Sequence, residues 1–148
     1  MWQSPLIVDT DVRKMSPIMT KTLLNQKLLT LHGSTATPPG KHLGYSALGC
    51  RAPLSCSLWG RRAHVTDGSV WVVGLQNSGN ATSRITLNFN THLGWPKGSV
   101  ATAVPIWEDA VGGEGRASVQ MSGRAMGELS ASVPPHGIYA IELTHGAR

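Results

Sequence analysis

The chain has 148 residues, 41% of them hydrophobic and 14% charged. That balance excludes a disordered chain, and the length excludes a complete (β/α)8 barrel, which takes roughly 250 residues. Thirteen Lys and Arg against eight Asp and Glu give a net charge of +5. The basic residues are scattered, and their densest group, Arg61, Arg62 and His64, has no aromatic ladder beside it, which argues against a nucleic-acid groove.

No apolar run reaches the ~18–20 residues of a membrane helix, and residues 1–15 lack the basic start and apolar core of a signal peptide. Pro5-Leu6-Ile7-Val8 is apolar on both faces and ends at Asp9 and Asp11, which predicts a strand buried in a parallel sheet. A helix follows, with Ser16 as N-cap, Pro17 in its first turn, Met19, Leu23, Leu24, Leu28 and Leu31 at helical spacing, and Gly33 at its end. This βα unit, residues 1–33, has no partner strand downstream, so it reads as the last unit of a larger α/β layer. Residues 34–49 read as a linker, rich in Pro and Gly.

From residue 50 the apolar period changes to two. Strands are predicted within 55–64, at 70–75, 85–90 and 100–107, at 117–121 and 128–133, and at 138–143. Asp67-Gly68, Asn77-Ser78-Gly79-Asn80, Gly94 to Gly98, Gly112 to Gly115 and Pro134-Pro135-His136-Gly137 separate them. Val70 to Leu75 is apolar on both faces and is expected at the centre of its sheet. With 17 Gly and 9 Pro for turns, the expected fold is mainly β: an antiparallel β-sandwich over residues 50–148, preceded by one βα unit.

The candidate chemistry is sparse. Cys50 and Cys56 are close enough in sequence for a small disulfide loop and equally compatible with two buried thiols; without a His pair they make no metal site. Asn80-Ala81-Thr82 is an N-glycosylation sequon, relevant in a secreted chain. The six histidines are dispersed, so no metal site is expected, and no phosphate-binding loop points to a cofactor. Glu108 and Asp109 read as solvated, and His136 as the donor or acceptor of a local turn contact. Among the tryptophans, Trp71 and Trp107 fall inside strands and read as core, whereas Trp95, in a turn, is the candidate for an exposed sugar-stacking face. Asp9 and Asp11 stand at a strand end, two apart, where Cβ atoms lie roughly 6–7 Å from each other. Asp11 reads first as a structural partner of Arg13 or of nearby backbone N–H groups, and second as the edge of a substrate pocket. No residue is assigned as catalytic.

Several stretches resemble the α-galactosidases (melibiases, glycoside hydrolase family 27). They are Met1-Trp2, Ser4-Pro5-Leu6, Asp9 to Ser16 and Leu24-Asn25, then Asp67 to Val73 with Asn77, Pro105-Ile106-Trp107-Glu108, and Val133-Pro134-Pro135-His136-Gly137. In that family comparable segments form the last barrel strand and helix and the C-terminal sandwich. The resemblance implies hydrolysis of terminal α-D-galactosyl residues, hence a carbohydrate substrate, by an intact enzyme with a complete N-terminal barrel. It also implies a secreted or lysosomal/vacuolar setting. The family's nucleophile lies in a K-Y-D motif, and this sequence contains no Tyr-Asp pair, so the chain by itself is expected to be inactive. The other reading is a freestanding β-sandwich module that binds carbohydrate or a partner domain.

Overall fold

A computed structural model of the chain describes residues 11–33, 38–46, 50, 55–63, 70–106 and 123–146. Among them, strands form where apolar and polar residues alternate between turns. They are β1 (Lys41–Tyr45), β2 (Cys56–Arg62), β3 (Val70–Asn77), β4 (Ser83–Asn88), β5 (Val100–Pro105), β6 (Gly123–Met126), β7 (Glu128–Val133) and β8 (Ile138–Gly146). One sheet runs β1-β2-β3-β8-β5-β6 and the other pairs β4 with β7. Every pairing is antiparallel.

The pleat of the large sheet turns one row of side chains inward. Trp71, Val73 and Leu75 of β3 stand with Ile141 and Leu143 of β8 and with Ala101 and Ala103 of β5. They meet Ile85 and Leu87 of β4 and Leu129, Ala131 and Val133 of β7. Burying each large side chain in this layer contributes about 1.5–3 kcal/mol. β3 is buried along most of its length and sits between β2 and β8, as its unbroken apolar run predicts.

The opposite face of the same sheet carries Val72 and Ala140, which form a second, smaller cluster with Ala63, Ile106 and Leu31. Leu31 belongs to a helical segment that departs from its expected form. One continuous helix was expected from Ser16. Two short ones form instead, α1 (Pro17–Leu23) and α2 (Gln26–Gly33). Ser16 caps α1 as expected, its Oγ accepting from the Met19 N–H at 3.2 Å, with Pro17 in the first turn. The break falls at Asn25, whose Oδ1 accepts from the Leu28 N–H at 3.0 Å. An asparagine side chain that satisfies an N-terminal amide starts a new helix rather than continuing the old one.

Three other elements differ from expectation. Residues 41–45, read as linker, form the edge strand β1; its register shifts between His42 and Gly44, with Gly44 at φ 133°, so no clean alternation marks it. The strand expected at 85–90 ends at Asn88, whose side chain accepts from the Thr91 N–H and starts a one-turn helix, α3 (Phe89–Leu93), closed by Gly94 in the left-handed conformation. Phe89 is fully buried as expected, but from a helix. The strand adjoining β5 is β6, at 123–126. The strands expected at 5–8 and 117–121, and the turns at 66–69 and 112–115, lie outside the described residues.

Candidate functional site

Asp11 stands at the cap of a single 3-10 turn over Val12–Lys14. Its Oδ1 accepts from the Arg13 backbone N–H at 3.1 Å and from Arg13 Nε at 2.9 Å, and its Oδ2 accepts from Arg13 Nη2 at 3.1 Å. The guanidinium holds the Asp11 carboxyl below the usual carboxylate range. Both oxygens are engaged by the neighbouring arginine, which is the structural role anticipated for it. The exposed pair adds little stability. Asp9, Glu108, Asp109, Trp107 and His64 lie outside the described residues.

Two further places carry the polar structure of the chain. The first is the junction between α2 and the large sheet. Leu31 enters the Val72–Ala140 face, and two hydrogen bonds flank it. Asn25 Nδ2 donates to the Ile106 carbonyl at 3.0 Å, and Arg61 Nη1 donates to the Leu31 carbonyl at 3.1 Å. Leu31 is in the last turn of α2, where carbonyls have no partner inside the helix and a cation is favoured. Arg61 is only 2% exposed, and its burial pushes the guanidinium pKa down. Sequence reasoning placed Arg61 in a scattered basic group; its neighbour Arg62 is indeed exposed, over the face of Trp71 at 5.6 Å. Only the outward position of Arg61 in the alternation of β2, beneath a helix that ends at the same face, distinguishes it.

The second place is the corner where the β3–β4 bend meets the β7–β8 turn. Asn77 is fully buried there. Its Nδ2 donates to the carbonyls of Ala81 and Val133 at 2.9 Å and of Pro134 at 3.1 Å, and its Oδ1 accepts from the Gly79 N–H at 2.9 Å. The Pro134–Gly137 turn closes through Gly137 N–H to the Pro134 carbonyl at 3.1 Å, with His136 at φ 54°. From that turn His136 Nε2 donates to Asn80 Oδ1 at 3.0 Å, the local contact expected of it.

Cys50 and Cys56 are joined in a disulfide, their Cα atoms 6.0 Å apart. The bond ties residue 50 to the first residue of β2, and Cys56 is buried in the main core. Trp71 is core as expected. Trp95 corrects its expectation: it is 8% exposed, with its ring 5.4 Å from Phe89 and 4.7 Å from His145. Gly94, in the left-handed conformation, turns the chain so that Trp95 folds back over α3 rather than out to solvent.

Cys56 pairs with Asn77 in the β2–β3 ladder, so the disulfide adjoins the Asn77 corner, and no group of three His, Cys, Asp or Glu could hold a metal among the described residues. No helix among them is long and apolar enough to cross a membrane. The fold defines a two-sheet antiparallel sandwich with a small helical segment docked on the outer face of its larger sheet. Residues 55–143, more than half of the chain, match the family described as the alpha galactosidase C-terminal beta sandwich domain (Melibiase_C). The chain belongs to that family.

Solved structures agree at the level of fold. α-Galactosidase I from Mortierella vinacea superposes with a TM-score of 0.71 at 16% identity, over 95% of this chain and 32% of that one. α-Galactosidase from Saccharomyces cerevisiae, determined with raffinose, gives 0.68 at 15% identity, over 97% and 40%. A glycoside hydrolase family 27 β-L-arabinopyranosidase from Geobacillus stearothermophilus, in complex with arabinose, gives 0.66 at 13% identity, over 91% and 26%. This chain thus spans between about a quarter and two fifths of these enzymes. No curated protein matches it by sequence.

Proposed function

We propose that this chain is the C-terminal part of an α-galactosidase-like glycoside hydrolase, in which residues 1–33 complete a (β/α)8 barrel and the sandwich covers and stabilises that barrel. Terminal α-D-galactosides are the substrate class of the intact enzyme, and the barrel supplies its catalytic carboxylates. Retaining cleavage needs two carboxyl groups about 5 Å apart across the scissile bond. Asp11, saturated by Arg13, is a poor member of such a pair and serves the turn into the helices.

The observation that carries this reading is the energetic poverty of α1 and α2. They have seven and eight residues, below the ~12–15 that an isolated helix needs. Ordering each residue costs about 1–2 kcal/mol, whereas burial of Leu31 returns about 1.5–3 kcal/mol. Leu31 is the one buried residue of α2, while Met19, Leu24 and Leu29 are exposed. Helices so placed call for a second surface over those three residues, and the missing barrel is the partner that the family match suggests.

Two measurements test this. The gene read upstream of the Met1 codon is expected to continue in frame into a K-Y-D motif and a second aspartate; a start codon with a stop just before it would overturn the reading. The purified chain is expected to self-associate in light scattering, to become monomeric when Met19, Leu24 and Leu29 are all changed to Ser, and to leave an aryl α-galactoside uncleaved. A monomeric unsubstituted chain, or hydrolysis by the chain alone, would count against it. The freestanding sugar-binding reading loses its residue, since Trp95 is in the core.

A further inference from the structure

We infer that Asn80 carries an N-linked glycan, added in the same oxidising compartment in which the Cys50–Cys56 disulfide forms. The inference rests on the proposed function, since residues 1–15 lack the features of a signal peptide and the longer enzyme would supply the export signal. Three observations carry it. Asn80-Ala81-Thr82 has the acceptor pattern, and both Asn80 and Thr82 are exposed, in the bend between β3 and β4. Asn77 and the Pro134–Gly137 turn hold that bend in place, and His136 engages only the Asn80 carbonyl, Oδ1. Among the described residues no hydrogen bond engages Nδ2, the atom to which sugar is attached, so the contact with His136 survives modification. Finally, a disulfide marks passage through an oxidising compartment, where the glycosylation machinery of eukaryotic cells also works.

The chemistry balances without a redox step. The Asn80 amide nitrogen attacks the anomeric carbon of an oligosaccharide carried on a dolichyl diphosphate. The N–C bond forms, the C–O bond to the diphosphate breaks with its electron pair, and the amide proton passes to the transferase. The modified position is also well placed. Leu31 docks beside Val72, near the start of β3, whereas Asn80 follows its end, more than about 15 Å away at the rise of a strand. A glycan there leaves the helical face open.

The test is the native protein recovered from its own cells, mapped as tryptic peptides. The peptide spanning residues 63–84 holds a single sequon. It is expected to appear only after treatment with peptide-N-glycosidase, with Asn80 converted to aspartate, and Cys50 and Cys56 are expected to resist alkylation until reduced. In a secretory eukaryotic host the full chain should lose its glycosidase-sensitive mobility shift on Asn80→Gln and on Thr82→Ala and keep it on Thr82→Ser, which distinguishes loss of the acceptor from misfolding. Native peptide carrying unmodified Asn80 would overturn the inference, as would a shift that persists in Asn80→Gln.

Discussion

The Asn77 corner and the α2–sheet junction are two polar connections of opposite quality. At the corner one buried side chain satisfies three carbonyls and one amide and locks two turns together, over a core that is already dense. At the junction one leucine and two hydrogen bonds hold two sub-minimal helices against the sheet. The first connection is internal to the sandwich, and the second joins the helical segment to one face of its larger sheet. The largest expected effect follows from the first. Asn77→Ala takes a hydrogen bond from the Val133 carbonyl and the Gly79 N–H, each such loss costing about 1–3 kcal/mol, whereas the Pro134 and Ala81 carbonyls keep the Gly137 N–H and Ser83 Oγ. Denaturant melts are expected to show a loss of about 3 kcal/mol or more across the whole sandwich. A loss below 1 kcal/mol would mean that water replaces the amide at no cost and that the corner is not special.

The junction should respond differently. Leu31→Ala removes the only buried side chain of α2 and is expected to weaken docking by about 2–3 kcal/mol. Because the core under β4 and β7 does not include Leu31, the loss should stay local. Hydrogen exchange is expected to accelerate at the α2 amides and leave those of β3 and β8 slow. Uniform acceleration throughout β3 and β8 would erase the distinction between the two regions.

The same contrast explains what the sequence made legible. The sandwich was readable because its strands follow the period of the pleat: Ile85 and Leu87 inward, Thr86 and Asn88 between them, and β3 apolar on both faces because helix and sheet cover it from opposite sides. Side chains that act as caps defeated the periodicity. Asn25 splits one helix into two and Asn88 ends a strand, and neither effect shows in a hydrophobic pattern. Edge strand β1 has one partner and a bulge, so nothing forces its residues to alternate. For the candidate sites, local contacts were legible, as with the Asp11–Arg13 pair, whereas the spacing of Cys50 and Cys56 left disulfide and free thiols equally open until the fold joined them. Roles created by contacts 30 or 56 residues apart, those of Arg61 and Asn77, arise only on folding.

Inside the sandwich, His92 offers a smaller and pH-dependent probe. It sits in α3 beneath Gly44 of β1, with Nδ1 accepting from the Asn88 N–H at 2.9 Å. Burial lowers its pKa below the ordinary value of 6.5, against a smaller opposing contribution from the Asn88 backbone. The folded state therefore favours the neutral ring. The stability this provides is complete above pH 6.5 and is lost as pH falls through that value towards the lowered one. Melting temperature is expected to decline below pH 6.5, and His92→Gln should flatten that decline. An unchanged slope would place the dependence elsewhere.

The smallest expected effect concerns Tyr139, on the core side of β8, whose hydroxyl is buried with no hydrogen-bond partner among the described residues. Burial also pushes its pKa up, so the phenol stays protonated and must donate or go unsatisfied. An unpaired buried hydroxyl costs about 1–3 kcal/mol, whereas a ring of the same shape without it gives up no contact. Tyr139→Phe is therefore expected to be neutral or to raise stability by up to about 1 kcal/mol in the denaturant midpoint. This reverses the sign expected at Asn77, although both changes delete a buried polar group at the same end of the paired strands β3 and β8. The difference is whether the deleted group had partners. Destabilisation by Tyr139→Phe would show that the hydroxyl holds a water or another partner, and that it contributes to the sandwich rather than costing it stability.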